Sequence, residues 1–443
     1  LSAWRPLALL ALGVATAAAP ATTAAEPFDP ALPAPIVLGE PAGIAPSERI
    51  TRTRTGRSAI RLPSSLEELA RDQIGPFIFP PVVDPRQSAT FATLGSEVVT
   101  LDLTCFGRSR EAPVPAAAPC KPRPPVRARL GASPAVHPPV LLSNGRVAVL
   151  VGTPAVVFLS ERGEIEETVP LPRVGFPGAP THGDASVSLV ATTDGGVVVT
   201  GHRTVLEIDS SGRLLSKTSL PERLATPLLP FDDGFLALLE SGAVHLVRPP
   251  LPPAKLGVMG VPLPRTGMLV GGALVAGSAS QRLLAFDPRS RVTLTRAADL
   301  PLGSLFKAGA AGDDASLWLS SPDGQLLQVR RDGGVTVSAA GERGFAGFAP
   351  GRGGPDELFG TGQLSPVVDG AGRVAFLRGI GVIGLLGGEV LEATNQLGCS
   401  TPVAMIPLPD ERLLLGCRDG SLFALGSLDG AGRVEEPSRP PIR

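Results

Sequence analysis

One phrase recurs along this chain. An aliphatic run leads into a turn rich in glycine, asparagine or aspartate, a second aliphatic run follows, and a tight turn leads to a third. Residues 138–159 show the phrase in full, with the turn at Asn144-Gly145, and residues 402–425 repeat it in the same order. Further copies begin near Pro80, Ala185, Gly234, Ala273, Ser316 and Arg373. Such repetition governs the fold, because each unit must bury its apolar faces against copies of itself. The second run ends at Gly95, Gly152, Gly201, Glu240, Gly277, Ser320, Gly379 and Gly416. The mean step of about 46 residues is that of a four-stranded propeller blade.

The runs are short and β-branched, and Gly, Asp and Asn supply the backbone angles of tight hairpins. One small sheet cannot bury both of its faces. Radial stacking hides each face against a neighbour and leaves only short edges. An all-β fold is therefore expected, a β-propeller of eight four-stranded blades. Two long steps carry insertions, one running from Cys105 to Pro125 and the other from Phe345 to Pro355. Only residues 66–72 show a helical period. Little chain follows Leu425 to supply a last outer strand, so residues 434–436 or the N-terminal segment 50–62 must provide it. The expected division is a signal peptide over 1–25, a leader over 26–75 able to latch the last blade, the propeller over 76–436 and a tail over 437–443.

The signal peptide rests on Arg5, an apolar run from Leu7 to Ala19 and small residues before the cut expected between Ala25 and Glu26. That run is too short for a membrane span, which takes about 20 apolar residues. Export makes the four cysteines disulfide candidates. Four cysteines allow three pairings, of which proximity favours Cys105 with Cys120 and Cys399 with Cys417, and the steps lack the short spacing of a zinc site. Formal net charge is −1. Such a chain has no general field for gathering phosphates, so nucleic acid is not an expected partner. Arginine-rich stretches do occur at 49–61 and 121–129, and they read as solvated surface.

The phrase from Gly416 to Leu425, with its Asp-Gly turn, resembles the repeat of the pyrroloquinoline-quinone-like propeller superfamily. That group includes quinoprotein alcohol dehydrogenases and non-enzymatic BamB-like members, usually of eight blades. The resemblance spans about Phe77 to Leu425 and lacks the Trp that often closes the repeat. It raises the question of a bound quinone, which in such dehydrogenases rests on a Trp floor, often beneath a vicinal disulfide, beside a calcium ion. Here no two cysteines are adjacent, Trp318 is the only Trp beyond the leader, and Asn occurs only at Asn144 and Asn395. No cofactor is therefore expected.

No other motif carries chemistry. His137, His182, His202 and His245 lack metal-ligand spacing, although a site shared across the channel is not ruled out by spacing. The Asp-rich turns at 209–212, 232–234, 313–314 and 322–324 do not follow a calcium loop and fit hairpin chemistry. The glycine-rich stretches 351–354 and 370–373 lack the Lys-Ser/Thr of a phosphate loop. We assign no catalytic, cofactor-binding or metal-binding residues. The reading is a non-catalytic, exported scaffold, periplasmic or extracellular, that binds a protein or a cell-envelope component. The alternative is a divergent quinoprotein-like enzyme or small-ligand binder using the central channel.

Overall fold

The fold was examined in a computed structural model. It describes residues 58–427 except 78, 108–122, 173–185, 271, 279, 281, 300–307, 312–316, 321–324, 330–334, 340–363, 380, 388–389, 395–396 and 400. The signal peptide, Cys120, His182, Asn395, residues 434–436 and most of both insertions thus lie outside the described residues.

Eight four-stranded antiparallel sheets hold all the described strands, and no helix occurs among the described residues. Blade 1 is β2 (Val82–Val83), β3 (Ser88–Ala92), β4 (Glu97–Asp102) and β5 (Val126–Arg129). Blade 2 is β6 (Val140–Leu141), β7 (Val147–Val151), β8 (Ala155–Leu159) and β9 (Ile165–Pro170). Blades 3 to 7 repeat the order over 188–219, 229–258, 268–299, 308–339 and 367–393. The eight-bladed expectation holds.

Burial explains why the second and third strands read so clearly in sequence. Every residue of β7 and β8 is buried, because blades stack on both sides, and both sides therefore favour aliphatic side chains. The fourth strand lies outermost and alternates, as β9 does with Glu166 and Thr168 exposed. Between third and fourth strands the register slips in five blades, for example at Phe158/Leu159 and Glu207/Ile208. Such bulges increase local twist, which turns each outer strand across its blade.

The ring closes through its apolar interior. Each of eight buried clusters draws chiefly on two adjacent blades. Val98 meets Val149 and Val157 between blades 1 and 2; Phe91 and Val99 meet Ile406 and Leu414 between blades 1 and 8. Full burial of one such side chain contributes about 1.5–3 kcal/mol. Close packing also selects glycine. A Cβ on Gly416 would lie 2.8 Å from the Phe77 ring, and one on Gly242, at φ +84°, would strike the backbone of Gly260.

Blade 8 corrects two expectations. It comprises β30 (Pro402–Leu408), β31 (Arg412–Cys417), β32 (Ser421–Gly426) and, outermost, β1 (Glu67–Gln73). Residues 66–72 are therefore not helical. Seven residues make a marginal helix, whereas pairing Glu67 with Gly426 through to Gln73 with Ser421 completes a sheet. The outer strand does come from within the leader 26–75, at Glu67–Gln73 rather than in the segment 50–62. Residues 50–57 lie outside the described residues, and 58–62 form no strand but cross toward blade 7.

Candidate functional site

Antiparallel order gives the ring two unlike faces. One carries the hairpins joining first to second and third to fourth strands. The other carries the turns joining second to third strands and the connectors between blades. The Cys105 insertion leaves β4 and returns to β5 on the hairpin face.

On the hairpin face, a local device fixes the turns. Asp84 Oδ1 accepts the amides of Arg86 at 2.9 Å and Ser88 at 2.8 Å, and Asp369 Oδ1 accepts those of Ala371 at 2.9 Å and Arg373 at 2.8 Å. Asp209 does the same for Ser211 and Arg213, so its Asp-rich turn is hairpin chemistry. Those bonds, with the Ser211 hydroxyl first among them, hold the Asp209 carboxyl below its usual range.

The same face shows a recurrent inter-blade link. The first hairpin of one blade reaches the outer hairpin of the next. Arg86 Nη2 lies 2.7 Å from Glu161, Arg146 Nη1 donates to the Ser210 carbonyl at 2.7 Å, and Asp232 lies 3.1 Å from Arg289. Between blades 8 and 1 the link is buried. Arg412, 2% exposed, donates to the carbonyls of Leu103 at 3.1 Å and Phe106, and to Gln87 Oε1 at 2.8 Å. Exposed pairs of this kind contribute little singly, about 0–1 kcal/mol. They occupy several of the charges of this face.

The connector face differs. Its linkers are rich in proline and aliphatic residues, including Pro138, Pro139, Pro221 and Pro264, and Leu94 and Val261 are exposed there. Arg203, Arg378 and Arg418 stand on this face without an ion-pair partner among the described residues. Arg378 Nε is buried and has no hydrogen-bond partner. Cys399, in the connector entering blade 8, bonds to Cys417 at the end of β31. Cys105 is also disulfide-bonded. A crosslink over a separation of 18 residues is worth about 3 kcal/mol. Replacing Cys399 and Cys417 together by serine is expected to lower stability by about that amount. Denaturant midpoints with and without reductant check this, since the variant should no longer respond to reduction at that site.

The three described histidines, His137, His202 and His245, do not converge. His137 accompanies the connector into blade 2, with Nδ1 2.8 Å from the Pro138 carbonyl. His202 lies in the turn after the second strand of blade 3 (Val197–Gly201) and accepts from Arg223 Nε at 3.0 Å. His245 lies within the third strand of blade 4 (Ala243–Val247), 8% exposed. Among the described residues no three His, Cys, Asp or Glu side chains are placed to hold a metal.

Burial first, then the Lys255 ammonium, depress the His245 imidazole below its ordinary 6.5. A group with a depressed folded pKa that is neutral when folded favours the native state fully above its unfolded pKa. That contribution disappears as pH falls through the folded value. Acid should therefore destabilise the protein below about pH 6.5, and His245→Gln should flatten that limb. Urea midpoints between pH 5 and 8 read it; parallel curves for the two proteins would overturn it.

The residues present do not fit a quinone. Trp318 lies in the second strand of blade 6 (Leu317–Ser320) and packs with Val368, Val374 and Phe376 of blade 7. It is an interblade side chain, not a floor facing the axis. The bonded cysteines 399 and 417 tie a connector to a strand rather than forming a vicinal pair.

The sequence matches no known protein family, and no curated protein matches it. Solved structures do. The crystal structure of BamB from Moraxella catarrhalis aligns at a TM-score of 0.53 with 16% identity, covering 82% of this chain and 100% of that one. The likeness is one of fold, an eight-bladed propeller. The computationally designed Ika8 protein aligns at 0.57 with 14% identity over the same shares. A designed protein matching as well as a natural one shows that the likeness lies in the scaffold.

Among the described residues no helix is long and apolar enough to cross a membrane. Arg412, Asp369 and Leu62 were not singled out from the sequence. One signal was available for the second: Pro-Val-Val-Asp occurs at both 81–84 and 366–369, and both aspartates cap the same hairpin.

Proposed function

We propose that this protein is a non-catalytic, exported scaffold that binds a protein of the cell envelope through its connector face. The contrast between the faces carries the reading. Several hairpin-face charges are tied to neighbouring blades, while the connector face combines exposed aliphatics with Arg203 and Arg418, which have no ion-pair partner among the described residues. Apolar surface with an arginine surplus suits a segment that is itself apolar and acidic. The BamB-like scaffold and the candidate leader support the same direction.

Photo-crosslinkers at Leu94 and Val261 should capture one discrete envelope protein, and a crosslinker at Leu215 on an outer strand should not. Capture should fail in the Arg203→Glu/Arg418→Glu variant. Capture unchanged by charge reversal, or turnover of a defined substrate by the pure protein, would overturn the proposal.

A further inference from the structure

Two arginines beside the disulfide-stapled connector of blades 7 and 8 have nothing to hold. Arg378 lies near the end of the second strand of blade 7 (Val374–Gly379), where the register slips between Leu377 and Gly379. Its Nε is buried, and among the described residues no acceptor or acid meets any of its nitrogens. The side chain as a whole is only half-buried, so the end of the fork meets water. Arg418, also half-buried, follows β31 and likewise has no side-chain partner among the described residues. Elsewhere Arg71, Arg86, Arg146, Arg373 and Arg412 are matched by acids or carbonyls. A buried donor without an acceptor is unfavourable and rare, so one that persists marks a place where stability yields to another requirement.

Both arginines are moored to one unit. In the turn that follows Arg378, the Gly381 carbonyl accepts from Leu397 N at 2.9 Å. Gly381 is at φ +66°, and a Cβ there would lie 2.8 Å from the Cys399 carbonyl oxygen. Cys399 is bonded to Cys417, with α-carbons 5.7 Å apart. Arg418 comes next in the chain; its amide donates to the Thr401 carbonyl at 2.9 Å, and its own carbonyl accepts from Phe77 N at 3.1 Å. Acids beside the staple are already engaged. Glu68 pairs with Arg71 at 2.8 Å, and Asp419 Oδ1 accepts from Ser421 N at 3.0 Å.

We infer that Arg378 and Arg418 form a carboxylate-binding site over this staple, which seats acidic side chains of the segment that the connector face binds. A planar guanidinium held by its stem can receive a carboxylate through two parallel N–H donors, a geometry that an ammonium does not reproduce. Uncompensated positive charge on both sides of the connector favours an acidic partner over a second copy of this face, which would bring like charges together. The site rests on the docking role proposed for the connector face and adds the place where its partner's acids sit.

Fluorescence anisotropy of a short labelled peptide of alternating leucine and glutamate, titrated with the full chain at low salt, tests it. The peptide should bind, and its counterpart with glutamine in place of glutamate should not. Arg378→Met should weaken binding about tenfold or more, the worth of a charge-assisted hydrogen bond, and Arg418→Gln should weaken it too. Arg378→Lys should not restore it. Melting supplies a readout that a merely structural arginine would move the other way. Methionine removes an orphaned donor, so Arg378→Met should melt no lower than the native protein. Equal affinity for the two peptides would overturn the inference, as would unchanged affinity in Arg378→Met or a variant that loses affinity and melting temperature together. Failure of this site alone would leave capture by crosslinkers at Leu94 and Val261 intact. Failure of the connector-face reading would abolish that capture without altering the peptide titration.

Discussion

Removal of residues 1–73 is expected to unfold the ring at a far lower denaturant concentration than removal of residues 1–57. The shorter deletion spares every contact among the described residues. The longer one strips β1 from β32, exposing the edge that runs from Ser421 to Gly426, and removes Leu62 and Leu66 from the cluster between blades 7 and 8. Those two side chains alone represent about 3–6 kcal/mol. A domain's whole margin is about 5–15 kcal/mol. Arg71 adds a guanidinium stacked 4.6 Å over the Phe423 ring. A deletion of residues 1–64 separates the parts, since it keeps β1 but loses the Leu62 anchor and its bond to Asp369. Its midpoint should fall between the other two. Coincident denaturation curves for the 1–57 and 1–73 deletions would show that blade 8 needs no fourth strand.

The second large effect is expected at Arg412. Arg412→Ala should cost roughly 3 kcal/mol, because it removes a buried guanidinium that donates to the carbonyls of Leu103 and Phe106 and to Gln87 and joins blade 8 to blade 1. Arg412→Lys should recover little. A single ammonium cannot reproduce a planar fork that serves those carbonyls and Gln87 Oε1 together. Arg86→Ala is the matched control: its partner Glu161 is exposed, so the loss should stay below about 1 kcal/mol. Equal losses for the two variants in urea titrations would refute the distinction between buried and exposed links.

The contrast also explains what sequence reading could reach. Strands such as β7 and β8 were legible because burial on both sides leaves continuous aliphatic runs. The outer strands were harder, since a sequence such as that of β9, with Glu166 and Glu167 beside Val169, satisfies water on one side and a bulged partner on the other. The latch was misread for the same reason. Glu67, Glu68, Arg71 and Asp72 are charged enough to mimic one turn or two of an exposed helix, and only their pairing partners 350 residues away settle the matter. The polar contacts that shape the two faces were not legible at all. Leu62 meets Asp369 across 307 positions and Arg412 meets Leu103 across 309, and no local spacing encodes either meeting. The hairpin aspartates were half visible, as Asp-Gly turns, without any hint that Asp369 is also an anchor.

Closure of blade 8 by β1 has a kinetic meaning. Gln73 and Ser421, hydrogen-bonded in the finished ring, are separated by 348 positions, so the strand emerges from the ribosome long before its partner exists. Folding must wait for the last blade, and loops closed over such distances make for slow assembly. Meanwhile β1 is an unpaired edge. Its row of Glu67, Glu68, Arg71 and Asp72 gives stray strands little to pair with, so the charges that disguise the latch in sequence would also protect it during synthesis.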